Sequence, residues 1–143
     1  MNKFIICGSA LFFAFLFNAC GTPLQDYSPK NEKEEEIKSL LVEFAQARND
    51  YDVNKMASCF SDTCIITLYG KSLTKSGFTS VYKRNDFESM GKIRFTNPEI
   101  NIVDEIAQVG IRGKQGLTAW IFELKVIREN DGWKISEWTD MCH

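Results

Sequence analysis

Apolar positions follow three patterns along the chain. From Phe4 to Phe17 they run unbroken, FIICGSALFFAFLF, with no charged residue. From Ile37 to Phe60, and again from Phe78 to Met90, they recur at intervals of three and four, the spacing of one helix face. After Gly91 they alternate with polar residues, the period of a strand with one buried face.

Within the helical stretch, Ile37, Leu40, Leu41, Phe44 and Ala47 predict one long amphipathic helix. Ser28-Pro29 reads as its N-cap and first helical proline. Glu32, Glu34, Glu35 and Glu36 then sit near the positive end of the helix dipole and read as a solvated helix start. Asp52 predicts the cap of a second helix that carries Val53, Met56, Ala57 and Phe60 on one face. A strand follows over about Cys64 to Tyr69, ended by Gly70. Residues 76–91, SGFTSVYKRNDFESMG, predict a third helix ended by Gly91. Four β-rich segments come next: KIRFTNPEINIVD, EIAQVGIRG, LTAWIFELKVIRE and GWKISEWTD. Turn signals at Lys114–Gly116 and Asn130-Asp131-Gly132 separate the later ones. The pattern predicts an α+β fold, with three N-terminal helices packed on a curved, mainly antiparallel sheet.

Parity divides the strand residues between two faces. Trp120, Phe122, Leu124 and Val126 share one face, predicted to meet the helices, while Ile121, Glu123, Lys125 and Ile127 share the other. An outer face alternating Ile with charge suits a homodimer surface. Trp133, Ile135 and Glu137 share a parity, which predicts Glu137 on the inner side and Trp138 on the opposite face.

The unbroken N-terminal run needs a different explanation. As a helix it would cover roughly 21 Å at about 1.5 Å per residue, short of the ~30 Å hydrocarbon core. With Lys3 before it, it reads as the h-region of an export signal. The following LFNAC, then Gly21, resembles the lipobox of bacterial lipoproteins, although Phe17 and Asn18 depart from the usual residues. That resemblance implies cleavage before Cys20 and lipidation of its sulfur. Each acyl CH₂ buried in a bilayer contributes ~0.8 kcal/mol, so several chains anchor firmly. The alternative is an ordinary signal peptide with Cys20 incidental. The chain is therefore divided into a signal peptide (1–19), a lipidated Cys20 with a tether (20–31) and a folded domain (32–143). The expected address is the cell envelope, at the outer membrane or periplasmic side if the cell is Gram-negative.

Composition narrows the function classes. With 143 residues, 44% hydrophobic and 25% charged, the chain suits one packed domain. A formal charge of −2, becoming −3 once Lys3 is removed with the signal, argues against nucleic acid as a partner. Beyond Cys7 and Cys20, three cysteines remain, Cys59, Cys64 and Cys142. One disulfide with one free thiol is allowed, and three pairings are open. No pair has CxxC spacing. The single histidine is the terminal His143, so no metal site and no cofactor are predicted.

The order of elements carries a wider resemblance. ARNDYDVNKMASCFSDTC, the adjoining CFSDTCIITLYG and the closing NDGWKISEW resemble the nuclear-transport-factor-2-like superfamily, which includes polyketide-cyclase-like and ketosteroid-isomerase-like domains. The likeness covers roughly Glu34 to Asp140. It implies a cone of curved sheet and helices with an internal pocket, and frequently a homodimer through the open sheet face. Ketosteroid isomerases use a carboxylate base and an oxyanion hole made of a tyrosine hydroxyl and a protonated Asp. Alignment puts Phe44 where the family's enzymes carry the tyrosine and Leu68 where they carry the aspartate. Neither can donate or accept a proton, while Tyr69 stands one position away.

Phe44, Leu68, Tyr69, Trp120, Phe122 and Glu137 are the pocket-lining candidates; no catalytic set is assigned. Buried aromatics most often serve as core, Asp62 reads as a turn or capping acid at the strand entry rather than a catalyst, and catalysis by Asp62, Glu137 or Asp140 is the less favoured reading. Two functions follow. One is a lipid-anchored envelope protein binding a small apolar ligand or a protein partner without catalysis. The other is a polyketide-cyclase-like isomerase, cyclase or hydrolase acting on a small hydrophobic substrate.

Overall fold

A computed structural model describes residues 21–141. The predicted signal segment 1–19, Cys20, Cys142 and His143 lie outside the described residues. A 3-10 turn at Leu24–Asp26 precedes helices α1 (Glu32–Asn49) and α2 (Val53–Ser58). Strands β1 (Phe60–Leu68) and β2 (Lys71–Thr74) form a hairpin, followed by helices α3 (Lys75–Val81) and α4 (Arg84–Met90). Strands β3 (Arg94–Val103), β4 (Ile106–Gln115), β5 (Thr118–Glu129) and β6 (Gly132–Met141) complete the chain. Among the described residues, no helix is long and apolar enough to cross a membrane.

The six strands form one sheet in the order β2-β1-β6-β5-β4-β3, antiparallel throughout except for the β1–β6 pair. The α+β class is as the pattern predicts, and the four late strands match their segments. Strand β1 begins four residues before the predicted Cys64. Ser61, Asp62 and Thr63 hide its start in polar sequence, and its pairing with β6 is what holds it extended. The hairpin partner β2, short and largely exposed, has no apolar alternation to announce it.

Local capping explains the helix boundaries. Asp52 caps α2 as expected, accepting from the Lys55 amide at 3.0 Å. Helix α1 starts later than Ser28-Pro29 predicts, because the Asn31 side chain accepts from the Glu34 amide at 3.0 Å. The predicted third helix is two. Tyr82 and Lys83 adopt extended backbone, and the Asp86 carboxylate takes the Lys83 amide at 2.7 Å, starting α4 anew.

Within the predicted tether, residues 21–24 are docked on the domain. The Thr22 amide donates to Asn97 Oδ1 at 2.7 Å and the Asn97 amide donates to the Thr22 carbonyl at 2.8 Å. Pro23 bridges to Thr96, and Leu24 is 1% exposed in the core. At Gly21, with φ +71°, a Cβ would lie 2.9 Å from Asn97 Nδ2. A single apolar residue in a polar segment has no period to betray it, so only the packing shows that this stretch belongs to the domain.

The acidic cluster is also more than a solvated start. Glu34 is buried and accepts from the Tyr27 hydroxyl at 2.8 Å and the Lys30 amide at 2.9 Å. Burial and that carboxylate push the Tyr27 hydroxyl up to about 12. Glu36 accepts from Trp133 Nε1 at 2.8 Å and pairs with Arg128, tying α1 to the β5–β6 hairpin. The helices lie over one sheet face, where Ile37, Leu41, Val109, Leu124, Val126 and Ile135 form a dry core. Each such side chain contributes about 1.5–3 kcal/mol through burial.

Candidate functional site

Where the core stops, a cavity of about 80 Å³ remains between helices and sheet. Its walls are mostly rings. Phe44 stands 5.6 Å from Phe60 and 4.6 Å from Trp138, and Trp138 stands 5.0 Å from Phe122, centroid to centroid. Phe78, Phe87, Phe95 and Trp120 extend the lining, with Met56, Ile66, Met90 and Ile93 between them. Engineered apolar cavities of around 150 Å³ hold benzene. At about 80 Å³ this one is smaller and suits a short chain, with a single ring entering only as the lining side chains move apart.

The rim is set by the β1–β2 turn. Tyr69 and Gly70 have φ of +51° and +73°, the left-handed pair of a two-residue hairpin. A tyrosine there is unusual, and the Asp140 carboxylate receives the Tyr69 amide, at 3.0 and 3.2 Å to its two oxygens. Tyr69 itself is 61% exposed beside the opening. Burial, and then the neighbouring Tyr69 and Asp140, raise the Tyr82 hydroxyl above its ordinary value.

Two further polar groups reach the lining. Arg48, on the last turn of α1, donates from Nη1 to the Gly91 carbonyl at 3.1 Å and lies 4.7 Å over the Phe87 ring. Burial holds its guanidinium below the usual arginine range. Gln115 ends β4, and its Nε2 is buried without a hydrogen-bond partner. Asn49 clamps the intervening segment, exchanging two 2.8 Å hydrogen bonds with the Ile93 backbone.

Of the six pocket candidates, Phe44, Leu68, Tyr69, Trp120 and Phe122 all line this cavity. Glu137 does not. The β5–β6 register slips between Lys125 and Val126, where Lys125 pairs with Glu137 but Val126 with Ile135. The extra residue, Ser136, donates from its hydroxyl to the Lys125 carbonyl at 3.1 Å. This bulge inverts the parity of everything after it. Glu137 turns outward to Lys125 Nζ at 3.4 Å, and Trp138 turns inward, the reverse of the alternation read from sequence. Asp62 also points away from the cavity, and pairs with Lys75 at 3.0 Å.

Of the three pairings left open, Cys59 with Cys64 is not formed, since both are buried free thiols; Cys142 lies outside the described residues. Burial pushes the Cys59 thiol up to about 11 and the Cys64 thiol up to about 12, so neither is a ready nucleophile. Among the described residues, no three His, Cys, Asp or Glu side chains form a group able to hold a metal ion. Sequence reasoning did not select Arg48, Gln115 or Tyr82 for the site. Arg48 did carry a signal: it stands four residues after Phe44, where the apolar stripe of α1 continues. Gln115 carried none, since a glutamine beside a turn reads as solvated.

Solved structures share the fold. A protein of unknown function from Shewanella oneidensis, described as NTF-2 like, is 24% identical, with a TM-score of 0.66 over 76% of this chain and 98% of that one. A putative ketosteroid isomerase from Shewanella frigidimarina is 18% identical, with a TM-score of 0.62 over 72% and 92% of the two chains. A putative scytalone dehydratase from Novosphingobium aromaticivorans is 12% identical, with a TM-score of 0.57 over 74% and 80%. No protein-family model and no curated protein matches the chain. The fold is nuclear-transport-factor-2-like.

Proposed function

We propose that this chain is a lipid-anchored protein of the cell envelope, held through Cys20, whose cavity binds a small apolar ligand without catalysis. The observation that carries the binding role is the ring-lined cavity itself, an apolar hollow with a few polar groups at its edge. The absence of catalysis is supported at two positions. Phe44 and Leu68 both line the cavity, and neither side chain can donate or accept a proton.

The docked Thr22–Leu24 segment bears on the anchor. One peptide link separates Cys20 from Gly21, a Cα spacing of about 3.8 Å. A lipidated Cys20 would therefore hold the domain close against the membrane, with its β3 side nearest. Labelling with radioactive palmitate is expected for the full chain and lost in Cys20→Ser; equal labelling of both removes the lipid anchor from the reading.

A second reading is a polyketide-cyclase-like enzyme. It is favoured by Asp140, a carboxylate on the lining, and by the fold shared with a putative ketosteroid isomerase and a putative scytalone dehydratase. Native mass spectrometry of residues 21–143, whose described part closes one core by itself, separates these readings and also tests a homodimer through the outer sheet face. The expected result is a dimer carrying one small copurified compound per chain, lost on denaturation and unchanged after prolonged incubation. A compound that is converted supports the enzyme. Bare protein at every concentration counts against a ligand site.

A further inference from the structure

We propose that the cavity selects a small monocarboxylate with an aromatic or short aliphatic body, its carboxylate received jointly by Arg48 and Gln115. This deepens the ligand-binding reading above and rests on it. Arg48 is only 8% exposed, yet among the described residues no carboxylate pairs with it. Its Nη1 donates to the Gly91 carbonyl and its guanidinium lies over the Phe87 ring, both neutral partners. A largely buried cation held only by neutral groups gains from an anion placed beside it.

Gln115 has the complementary deficit. Its Nε2 is buried with no acceptor, and it lies 3.3 Å from where a Cβ on Gly91 would stand. Both donors thus converge on Gly91, the residue whose carbonyl Arg48 holds. Its φ of +78° keeps it free of a side chain that would crowd the amide. A carboxylate offers about four lone-pair sites, enough for a guanidinium and an amide together. One cation suits one negative charge.

The rest of the cavity sets the body of the ligand. Phe44, Phe95, Phe122 and Trp138 supply ring faces and edges, and about 80 Å³ suits a short body, a ring entering only as the lining opens, and excludes a long acyl tail. The other charged group on the lining, Asp140, stands on β6, two strands from Gln115 on β4. That is about 10 Å of sheet, and both its oxygens face the Tyr69 amide. It therefore does not meet the carboxylate end of the ligand.

The test uses 4-fluorophenylacetate and its neutral twin 4-fluorophenylacetamide, titrated into residues 21–143 and followed by fluorine NMR. The acid is expected to bind at least about tenfold tighter, a difference of about 1.4 kcal/mol. Arg48→Met should erase that preference while leaving amide binding in place, and Arg48→Lys should restore part of it. Gln115→Glu, nearly isosteric, should abolish acid binding by supplying its own carboxylate, and carries the test if Arg48→Met does not fold. Equal binding of acid and amide by the parent protein, or an unchanged preference in Arg48→Met, overturns the anion site and leaves an apolar pocket. Binding of neither compound overturns the ligand site as well.

Discussion

Phe60→Ala is expected to lower the free energy of unfolding by about 3–5 kcal/mol, the cost of truncating a fully buried ring and leaving a void. Phe60 is 2% exposed and joins three layers. Its ring meets Phe44 on α1 and Phe78 on α3, the latter edge-on at 5.4 Å, while its backbone opens β1 beside Ile135 of β6. Domains of this size carry about 5–15 kcal/mol in all, so the loss is a large share. Urea unfolding should show the midpoint falling with little change in slope. The truncation also enlarges the cavity, so a bulkier ring should enter the variant and be refused by the parent. A loss under about 1 kcal/mol would mean that Phe60 is not the keystone its contacts make it.

The second large effect comes from adding one methyl group. Gly113 lies on the inner face of β4, where a Cβ would stand 2.6 Å from Phe122 Cε2 and 2.7 Å from Ile93 Cδ1. The end of Ile93 can swing away; the edge of a packed ring cannot, except into the cavity. Gly113→Ala is therefore expected to cost about 1–3 kcal/mol, the usual range for overpacking, and to weaken ligand binding by narrowing the hollow. Gly110, three residues earlier on the outer face of the same strand, is the control. A Cβ there meets nothing within 4 Å. Gly110→Ala should be neutral or stabilise by up to about 1 kcal/mol, because alanine reduces the freedom of the unfolded chain. If the two variants melt together, Gly113 is not holding space for Phe122.

The contrast between these glycines shows why part of the site could not be read in advance. Both stand in the same alternating segment, and only the neighbours that cross from β5 and from the Gly91–Ile93 segment distinguish them. Arg48 presents the same difficulty in milder form. Its spacing from Phe44 puts it on the buried stripe of α1, but its lack of a counter-ion depends on what α4, β3 and β4 bring near it. Trp120 and Phe122 were reachable because the period of β5 points them inward without interruption, and Phe44, Leu68 and Tyr69 because the family resemblance marked their positions.

Periodicity along the chain determined the class of each long element, the split between an N-terminal helical half and a C-terminal sheet, and the inward face of β5. These are local properties, since a side chain's direction follows from the dihedral repeat of its own segment. Tertiary structure alone decided the Ser136 bulge that exchanges Glu137 for Trp138, the parallel seat of β1 against β6, and the docking of Leu24. Each of these is a pairing between residues far apart in sequence, stabilised by hydrogen bonds and burial that no single segment contains. The cavity belongs to the same group: it is the space left where several elements fail to meet, and spaces have no residues of their own to read.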